Sequence, residues 1–174
     1  MFLLSLSVNV QAKSSQFSNY DIQQAYKKYV VSKHVPRQSG QQRKLIRSQN
    51  NHVQNQILKT AKQQLHKRYR WGGSTPRRGF DCSGLVQYAY KSANIKLPRT
   101  AAQQYRSTKR IPMSRLKTGD LIFFKTRRTR AQINHVGIYL GGGNFIHAPS
   151  RGKRVSVSKL DKYWRRKVIG AGRI

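Results

Sequence analysis

The sequence contains no glutamate, and four aspartates face 36 lysines and arginines. The resulting formal net charge of +32 at pH 7 causes self-repulsion and attracts polyanions. The basic residues are spread along the chain, which argues against a nuclear address or a nucleic-acid-binding arm. We expect most of them to be solvated surface charges, with anionic cell-envelope polymers as candidate partners and no specific nucleic acid.

Cysteine is nearly absent as well, since Cys82 is the only one. A single cysteine excludes an intramolecular disulfide and a zinc site built from several cysteines. No apolar run approaches the ~20 residues that a membrane-spanning helix needs. We expect no transmembrane segment, no metal and no cofactor.

The composition divides the chain into three parts. Residues 1–12 are apolar and end in small and polar residues, as the cleavage region of a secretion signal does, although the basic start is missing. We therefore expect export, with a signal that can begin further upstream. Residues 13–50 are polar and basic, which is typical of a linker or loosely docked arm. Residues 51–174 contain enough apolar residues for one domain.

Residues 51–174 change from helical to strand patterns along the chain. Apolar spacing predicts helices over about 51–65, 82–93 and 100–106. Short apolar or alternating segments between glycine-containing turns predict strands at 121–124, 135–140, 145–148, 154–158 and 168–174, with a short helix over 158–166. Helices followed by an antiparallel meander indicate an α+β domain.

Cys82 is the candidate nucleophile. It follows a loop that contains Gly79 and opens an apolar, helix-compatible run, so the thiol is expected in the first turn of a helix. Unpaired N–H groups and the helix dipole at that position stabilise a thiolate and lower the thiol pKa. A lone cysteine is more often an inert buried residue, so the interpretation depends on partners elsewhere in the chain.

His135 and His147 are the candidate partners of this thiol. They lie on two predicted strands joined by a turn at 141–144, and a hairpin there brings both imidazoles near one end of the sheet. A thiol peptidase needs an imidazole as base and acid, and a third polar group that fixes its tautomer. Either histidine alone is more often structural, but together with Cys82 they indicate nucleophilic catalysis.

Six blocks of sequence resemble the NlpC-type cell-wall cysteine peptidases, in the family's order and at its spacing. The blocks are Tyr69–Gly73, Phe80–Val86, Leu97–Thr100, Lys117–Leu121, His135–Gly141 and Phe145–Ala148. The resemblance covers about residues 52–174 and extends to the Spr-like murein endopeptidases of Gram-negative bacteria. It implies a papain-like α+β fold, in which N-terminal helices, including the nucleophile helix, pack on an antiparallel sheet.

The resemblance implies a peptidoglycan stem-peptide endopeptidase that acts in the periplasm or cell envelope. Cys82 would be the nucleophile, His135 the general base and acid, and His147 the residue that orients His135. Known cleavage types in the family are the diaminopimelate–D-alanine crosslink and the γ-D-glutamyl–diaminopimelate bond. The chain as given has no lipobox cysteine, so no lipoprotein anchor is expected.

Other residues near the nucleophile are open to two interpretations. By resemblance, the hydroxyl of Tyr69 helps the oxyanion site, while Asp81 and Ser83 shape the substrate groove. Asp81 can instead cap the helix and Ser83 can simply bond backbone, and Asp120 is expected to be a turn residue. Several arginines are either ligands of substrate carboxylates or solvated charges: Arg70, Arg77, Arg78 and Arg99.

Two other functions remain open at this point. The same fold could carry out other amidase or acyltransferase chemistry, which product analysis would reveal. A non-enzymatic polyanion- or wall-binding module would show steep salt dependence and indifference to Cys82. Against that module, the aromatic residues are not interleaved with a basic stripe. The sequence leaves open which bond is cleaved and whether residues 13–50 regulate or tether the domain.

Overall fold

The computed structural model describes residues 40–126 and 132–174, and these lie in one compact unit. The expected signal at 1–12 and residues 13–39 of the expected arm lie outside the described residues. The helices are α1 (Gly40–Lys62), α2 (Cys82–Lys91), α3 (Ala101–Arg106) and α4 (Lys162–Arg165), with a 3-10 turn at Met113–Arg115. The strands are β1 (Ser74–Thr75), β2 (Gly79–Phe80), β3 (Lys109–Ile111), β4 (Leu121–Phe124), β5 (His135–Gly141), β6 (Asn144–His147), β7 (Ser156–Lys159) and β8 (Val168–Arg173).

The strands form one antiparallel sheet and a small hairpin. Six strands pair in the order β3-β8-β4-β5-β6-β7, while β1 and β2 pair with each other. Because β4, β5, β6 and β7 are sequential neighbours, this part of the sheet is the predicted meander. Helix α2 contacts α1, β1 and β5, which places the start of α2 beside the sheet. The predicted α+β fold is therefore confirmed.

Both faces of the sheet are covered, because all four residues of β4 are buried. Leu121 and Phe123 pack into the cluster that contains residues of α1 and α2. Ile122 and Phe124 pack into a second cluster, against which Trp164 of α4 is placed. Burial of each such side chain stabilises the fold by about 2 kcal/mol. The strands at the centre of the sheet are thus fixed from both sides.

The first half of α1 differs from the prediction. We expected the helix to begin at Asn51, but it begins at Gly40 and crosses the expected boundary between the arm and the domain. Residues 40–52 are exposed, so no buried apolar periodicity marks this segment in the sequence. Strand β3 and the β1–β2 hairpin were also missed, since they are only two or three residues long. In the described residues, no helix is both long and apolar enough to span a membrane.

Candidate active site

Cys82 is the first residue of α2, as the sequence predicts. Asp81 is the N-cap, and its Oδ1 accepts a hydrogen bond from the N–H of Gly84 at 2.7 Å. Its Oδ2 accepts from the N–H of Gly72 at 3.0 Å, which ties the preceding loop to the helix start. A Cβ on Gly84 would clash with the carbonyl oxygen of Gly73. The glycine after the nucleophile is therefore needed for α2 to approach this loop.

Asp81 is also bound by Arg99. The guanidinium donates from Nη2 to Oδ2 at 2.5 Å and from Nη1 to Oδ1 at 3.0 Å, and Nη1 also donates to Ser83 Oγ at 2.9 Å. The hydrogen bond to Asp81 is the main reason that the pKa of Arg99 lies above its ordinary value. The structure confirms that Asp81 caps the helix. Arg99, a candidate ligand for substrate carboxylates, instead binds the carboxylate of Asp81 within the protein.

The sulfur of Cys82 lies against the beginning of β5. Sγ is 4.0 Å from the carbonyl oxygen of Asn134, and the backbone N–H of Val136 also bonds toward the sulfur. These two residues flank His135 in the chain. Since consecutive strand residues are about 3.3 Å apart, the contacts place the thiol next to the backbone that carries His135.

The protonation of Cys82 differs from the prediction. Burial, followed by the negative charge of Asp81, raises the pKa of the Cys82 thiol to about 11. Backbone N–H groups of Val136, Ser83 and Cys82 itself lower the pKa, as expected at a helix start, but they do not outweigh burial. Burial thus opposes the lowered thiol pKa that the helix start alone predicts.

The two predicted histidines are in direct contact. His135 Nε2 and His147 Nδ1 are 2.8 Å apart, and the side chains are 3% and 1% exposed, respectively. Burial lowers the pKa of His147 to about 4, so this imidazole is neutral near pH 7. A neutral imidazole carries one N–H. If Nδ1 of His147 accepts a hydrogen bond from Nε2–H of His135, the single proton of the His147 ring is on Nε2. This N–H is then directed at a second hydrogen-bond partner of His147.

That other partner is Ser158 on β7, which sequence reasoning missed. His147 Nε2 and Ser158 Oγ are 2.9 Å apart, so His135, His147 and Ser158 form one hydrogen-bonded chain across β5, β6 and β7. Ser158 pairs across the strands with Phe145, whereas His147 pairs with Ser156, so the hydrogen bond from His147 reaches a residue two positions along β7. The alternation of residues 154–158 indicated a strand, but it did not indicate which histidine nitrogen the serine would meet.

Trp164 is a second residue that the sequence reasoning missed. Its ring lies at 5.8 Å and 27° to the ring of His135, in a stacked arrangement, and at 5.0 Å and 89° to that of His147. The backbone N–H of Trp164 donates to Oδ1 of Asp161 at 3.0 Å, and Asp161 thereby caps the start of α4. The short helix therefore holds an indole over the histidine pair.

Tyr69 lies on the loop before β1, where its N–H donates to the carbonyl oxygen of Lys153 at 2.9 Å. It lines an open groove of about 610 Å³ together with Trp71, Ser150 and Arg151. Its backbone forms a bridge with Phe80, and the N–H of the next residue, Arg70, donates to the carbonyl oxygen of Phe80 at 2.9 Å. The backbone of Tyr69 therefore lies beside the strand that leads to Cys82.

Asp120 has structural partners at the turn before β4. Arg173 donates from Nε to Asp120 Oδ1 at 2.6 Å and from Nη2 to Oδ2 at 2.7 Å. The N–H of Lys117 also donates to Oδ2 at 2.6 Å, across the turn before β4. The prediction that Asp120 is a turn residue is confirmed.

Sequence comparisons agree with this geometry. The profile of the NlpC/P60 family matches residues 66–173. The chain is 50% identical over 116 residues to the murein DD-endopeptidase MepH of Escherichia coli K12, covering 64% of this chain and 42% of that protein. It is 42% identical over 118 residues to the bifunctional muramidase/DL-endopeptidase CwlT of Bacillus subtilis 168, covering 68% and 36%, respectively. The chain thus spans less than half the length of these relatives.

Solved structures give the same result. A crystal structure of a lipoprotein-like NLP/P60 family protein from Staphylococcus aureus superimposes with a TM-score of 0.66 and 39% identity, covering 71% of this chain and 41% of that one. The NlpC/p60 domain of the peptidoglycan hydrolase SagA superimposes with a TM-score of 0.60 and 31% identity, covering 70% and 98%. The similarity thus includes nearly all of a separately crystallised domain.

Proposed function

Because the chain belongs to the NlpC/P60 family, we propose that it is a cysteine peptidase that hydrolyses stem peptides of peptidoglycan. The observation that carries the proposal is the position of the Cys82 sulfur against the residues on either side of His135, which is itself bonded to His147. The two curated relatives are named as murein DD-endopeptidase and DL-endopeptidase, which supports a peptide bond in the cell wall as the substrate.

The first step is attack by Cys82 on the scissile carbonyl. Because Nε2 of His135 is bonded to His147, Nδ1 is the nitrogen that takes the thiol proton as the S–C bond forms. The carbonyl oxygen becomes an oxyanion, for which the backbone N–H of Cys82 and the hydroxyl of Tyr69 are the proposed donors. Since the thiol pKa is raised, proton transfer accompanies attack instead of preceding it.

The next steps return every group to its resting state. His135 gives the proton to the departing amine, the C–N bond breaks, and a thioester on Cys82 remains. A water molecule then attacks the thioester and gives a proton to His135. When the second tetrahedral intermediate collapses, the proton returns to the sulfur and the carboxylic acid leaves.

His147 and Ser158 position the base in this scheme. A neutral His147 accepts from Nε2–H of His135, so the proton-accepting lone pair of His135 is on Nδ1. Ser158 accepts from Nε2–H of His147 and fixes the tautomer of the second ring. When His135 becomes an imidazolium, the indole of Trp164 offers its face to the cation.

The proposed bond is the diaminopimelate–D-alanine crosslink, as the name of the MepH relative suggests. The alternative is the γ-D-glutamyl–diaminopimelate bond, which the DL-endopeptidase name of CwlT supports. Mass spectrometry of the products from crosslinked and uncrosslinked muropeptides separates the two. Release of monomers from dimers supports the first bond, and cleavage within monomers supports the second.

The test of the mechanism is Cys82→Ala, measured on the same muropeptides. We expect turnover to fall below detection while the thermal midpoint changes little, because Cys82 is half-buried at a helix start. His52→Gln, an exposed change on α1, is the control and should retain full activity. Normal cleavage by Cys82→Ala would show that the thiol is not the nucleophile.

We further propose that the protein is exported to the periplasm or cell envelope, where its substrate lies. In this proposal residues 1–12 belong to a secretion signal, residues 13–50 connect it to the domain, and residues 51–174 form the peptidase domain. Fractionation of cells that express the full chain, followed by N-terminal sequencing, tests both export and the cleavage point after Ala12.

A further inference from the structure

A second groove lies away from the thiol. It has a volume of about 590 Å³ and is lined by residues of three separate chain segments: Arg43, Ile46, Arg47, Asn50, Asn51, Gln54, Lys117 and Arg173. Four of these are cations, and none of the acidic residues in the described segments lines the groove. Its cations come from α1, from the turn before β4 and from the end of β8.

The floor of this groove is fixed by buried contacts. Arg173 is held by both oxygens of Asp120, which is only 2% exposed, and Tyr90 Oη donates to the carbonyl oxygen of Gly119 at 2.6 Å. Because Gly119 has a φ of +90° and lies under Gln54 of α1, the turn and the helix meet closely. Lys117 is therefore presented at a defined position opposite the helix.

The helical wall is exposed and basic. Arg43 and Arg47 are one turn apart on α1, so they lie on one face and about 6 Å apart along the axis. Ile46 and Leu45 beside them are 38% and 62% exposed. Exposed helix without packing is marginally stable in water, so a bound ligand can stabilise this end of α1.

The groove and the thiol can be occupied at the same time. Leu121, at one end of β4, pairs with Gly172 next to the groove, whereas Phe124, at the other end, pairs with His135. Three residue steps along a strand are roughly 10 Å. A ligand in the groove therefore does not need to displace a peptide from the candidate active site.

We propose that this groove binds a flexible phosphodiester polymer of the cell envelope. Arg43 and Arg47 line the helical wall together with the amide side chains of Asn50, Asn51 and Gln54, and Lys117 lines the groove from the turn before β4, so a tetrahedral phosphate can accept from more than one wall. Arginine forks bind phosphate in this way. Among the residues that the structure describes, no aromatic ring lines the groove, and non-specific single-stranded nucleic acid binding relies on base stacking. The inference goes beyond the proposed hydrolysis and does not depend on it.

The experiment measures binding of labelled poly(glycerol phosphate) by fluorescence anisotropy, using the full chain with Cys82→Ala so that no hydrolysis occurs. The groove variant combines Arg43→Gln, Arg47→Gln and Lys117→Gln. The matched control also removes three charges, through Lys59→Gln, Lys62→Gln and Arg106→Gln, at exposed positions outside the groove. Glutamine is a good helix former, so both variants should fold, and circular dichroism with thermal melting checks this.

We expect the groove variant to lose at least tenfold in affinity at 0.1 M salt, with a log–log salt slope smaller by about 2. The control should lose less than threefold. Equal losses in the two variants would overturn the proposal, because they would show that overall charge alone drives binding. A polyglutamate of matched length, or a single-stranded oligonucleotide, that binds as tightly and loses as much affinity in the groove variant would overturn the phosphodiester assignment.

Hydrolysis of soluble muropeptides provides an independent readout in chains that retain Cys82. The groove substitutions should leave it within twofold of the unsubstituted chain. Loss of polymer binding with cleavage retained is therefore the expected result. Polymer affinity that does not fall in the groove variant would overturn the groove proposal and leave the catalytic proposal standing, whereas cleavage that falls with the groove substitutions would overturn the independence of the two sites.

Discussion

The nucleophile side and the base side of the candidate site are built differently. Cys82 stands beside a charged network, in which Asp81 is bound by Arg99. His135 stands in a hydrogen-bonded chain with His147 and Ser158, covered by an indole. Burial raises the pKa of the thiol to about 11 and lowers that of His147 to about 4.

The comparison shows that burial favours the uncharged form on both sides, although it moves the two pKa values in opposite directions. Burial therefore disfavours a thiolate on the nucleophile side and a charged His147 on the base side.

The largest expected effect is on the base side. His135→Ala removes the proton acceptor, and we expect kcat/KM on a muropeptide to fall by about 10³-fold, the range for general acid–base catalysis. The control is His66→Ala, at a surface position after α1. A loss of less than tenfold in His135→Ala would show that another group takes the thiol proton.

The next effect is a pH dependence of stability that comes from His147. Its pKa is about 4 in the folded state against 6.5 ordinarily, so the unfolded chain binds the proton more tightly. Stability is therefore fully present above pH 6.5 and falls as the pH drops toward 4. The loss from this group between pH 7.5 and pH 5 should be about 2 kcal/mol in the free energy of unfolding.

Urea unfolding at both pH values measures this loss. His147→Gln should show a pH dependence smaller by that amount, since glutamine does not titrate. His52→Gln, on the exposed part of α1, is the control and should keep the full dependence. An unchanged dependence in His147→Gln would contradict the assignment of the acid sensitivity to the buried pair.

A smaller effect is expected from the indole that covers the pair. Trp164→Ala opens the face of His135 to water and removes a partner for the imidazolium, so kcat should fall about tenfold. Trp164→Phe keeps an aromatic face and should recover most of the loss in kcat. Trp164→Leu fills a similar space without an aromatic face and should not recover it. Equal kcat values for the leucine and phenylalanine variants would contradict the aromatic role.

The sequence predicted the positions of the central residues because each depends on local geometry. Cys82 follows a glycine loop and opens an apolar helical run, and the turn at 141–144 pairs the strands that carry His135 and His147. The proximity of the two histidines was predictable because a hairpin fixes the approximate register of neighbouring strands, whereas their direct hydrogen bond was not predicted. The profile match over residues 66–173 then confirms the family that the resemblance indicated.

The remaining features depend on tertiary contacts that no local pattern encodes. The helix start alone indicated a low thiol pKa, but the packing of Cys82 against β5 raises the pKa instead. Ser158 and Trp164 arrive at the histidines from β7 and α4, which adjoin the pair only in the folded chain. The first half of α1 is helical without burial, so hydrophobic periodicity does not mark it.

The most direct test of the raised thiol pKa is the alkylation of Cys82 by iodoacetamide as a function of pH. Because Cys82 is the only cysteine, the mass increase reports this thiol alone. A pKa of about 11 predicts slow alkylation at pH 7 and a rate that rises about tenfold per pH unit from pH 6 to 9.5. The urea-unfolded chain should react much faster at pH 7. A rate that is fast and already constant below pH 7 would mean that the resting site holds a thiolate, and would contradict the account.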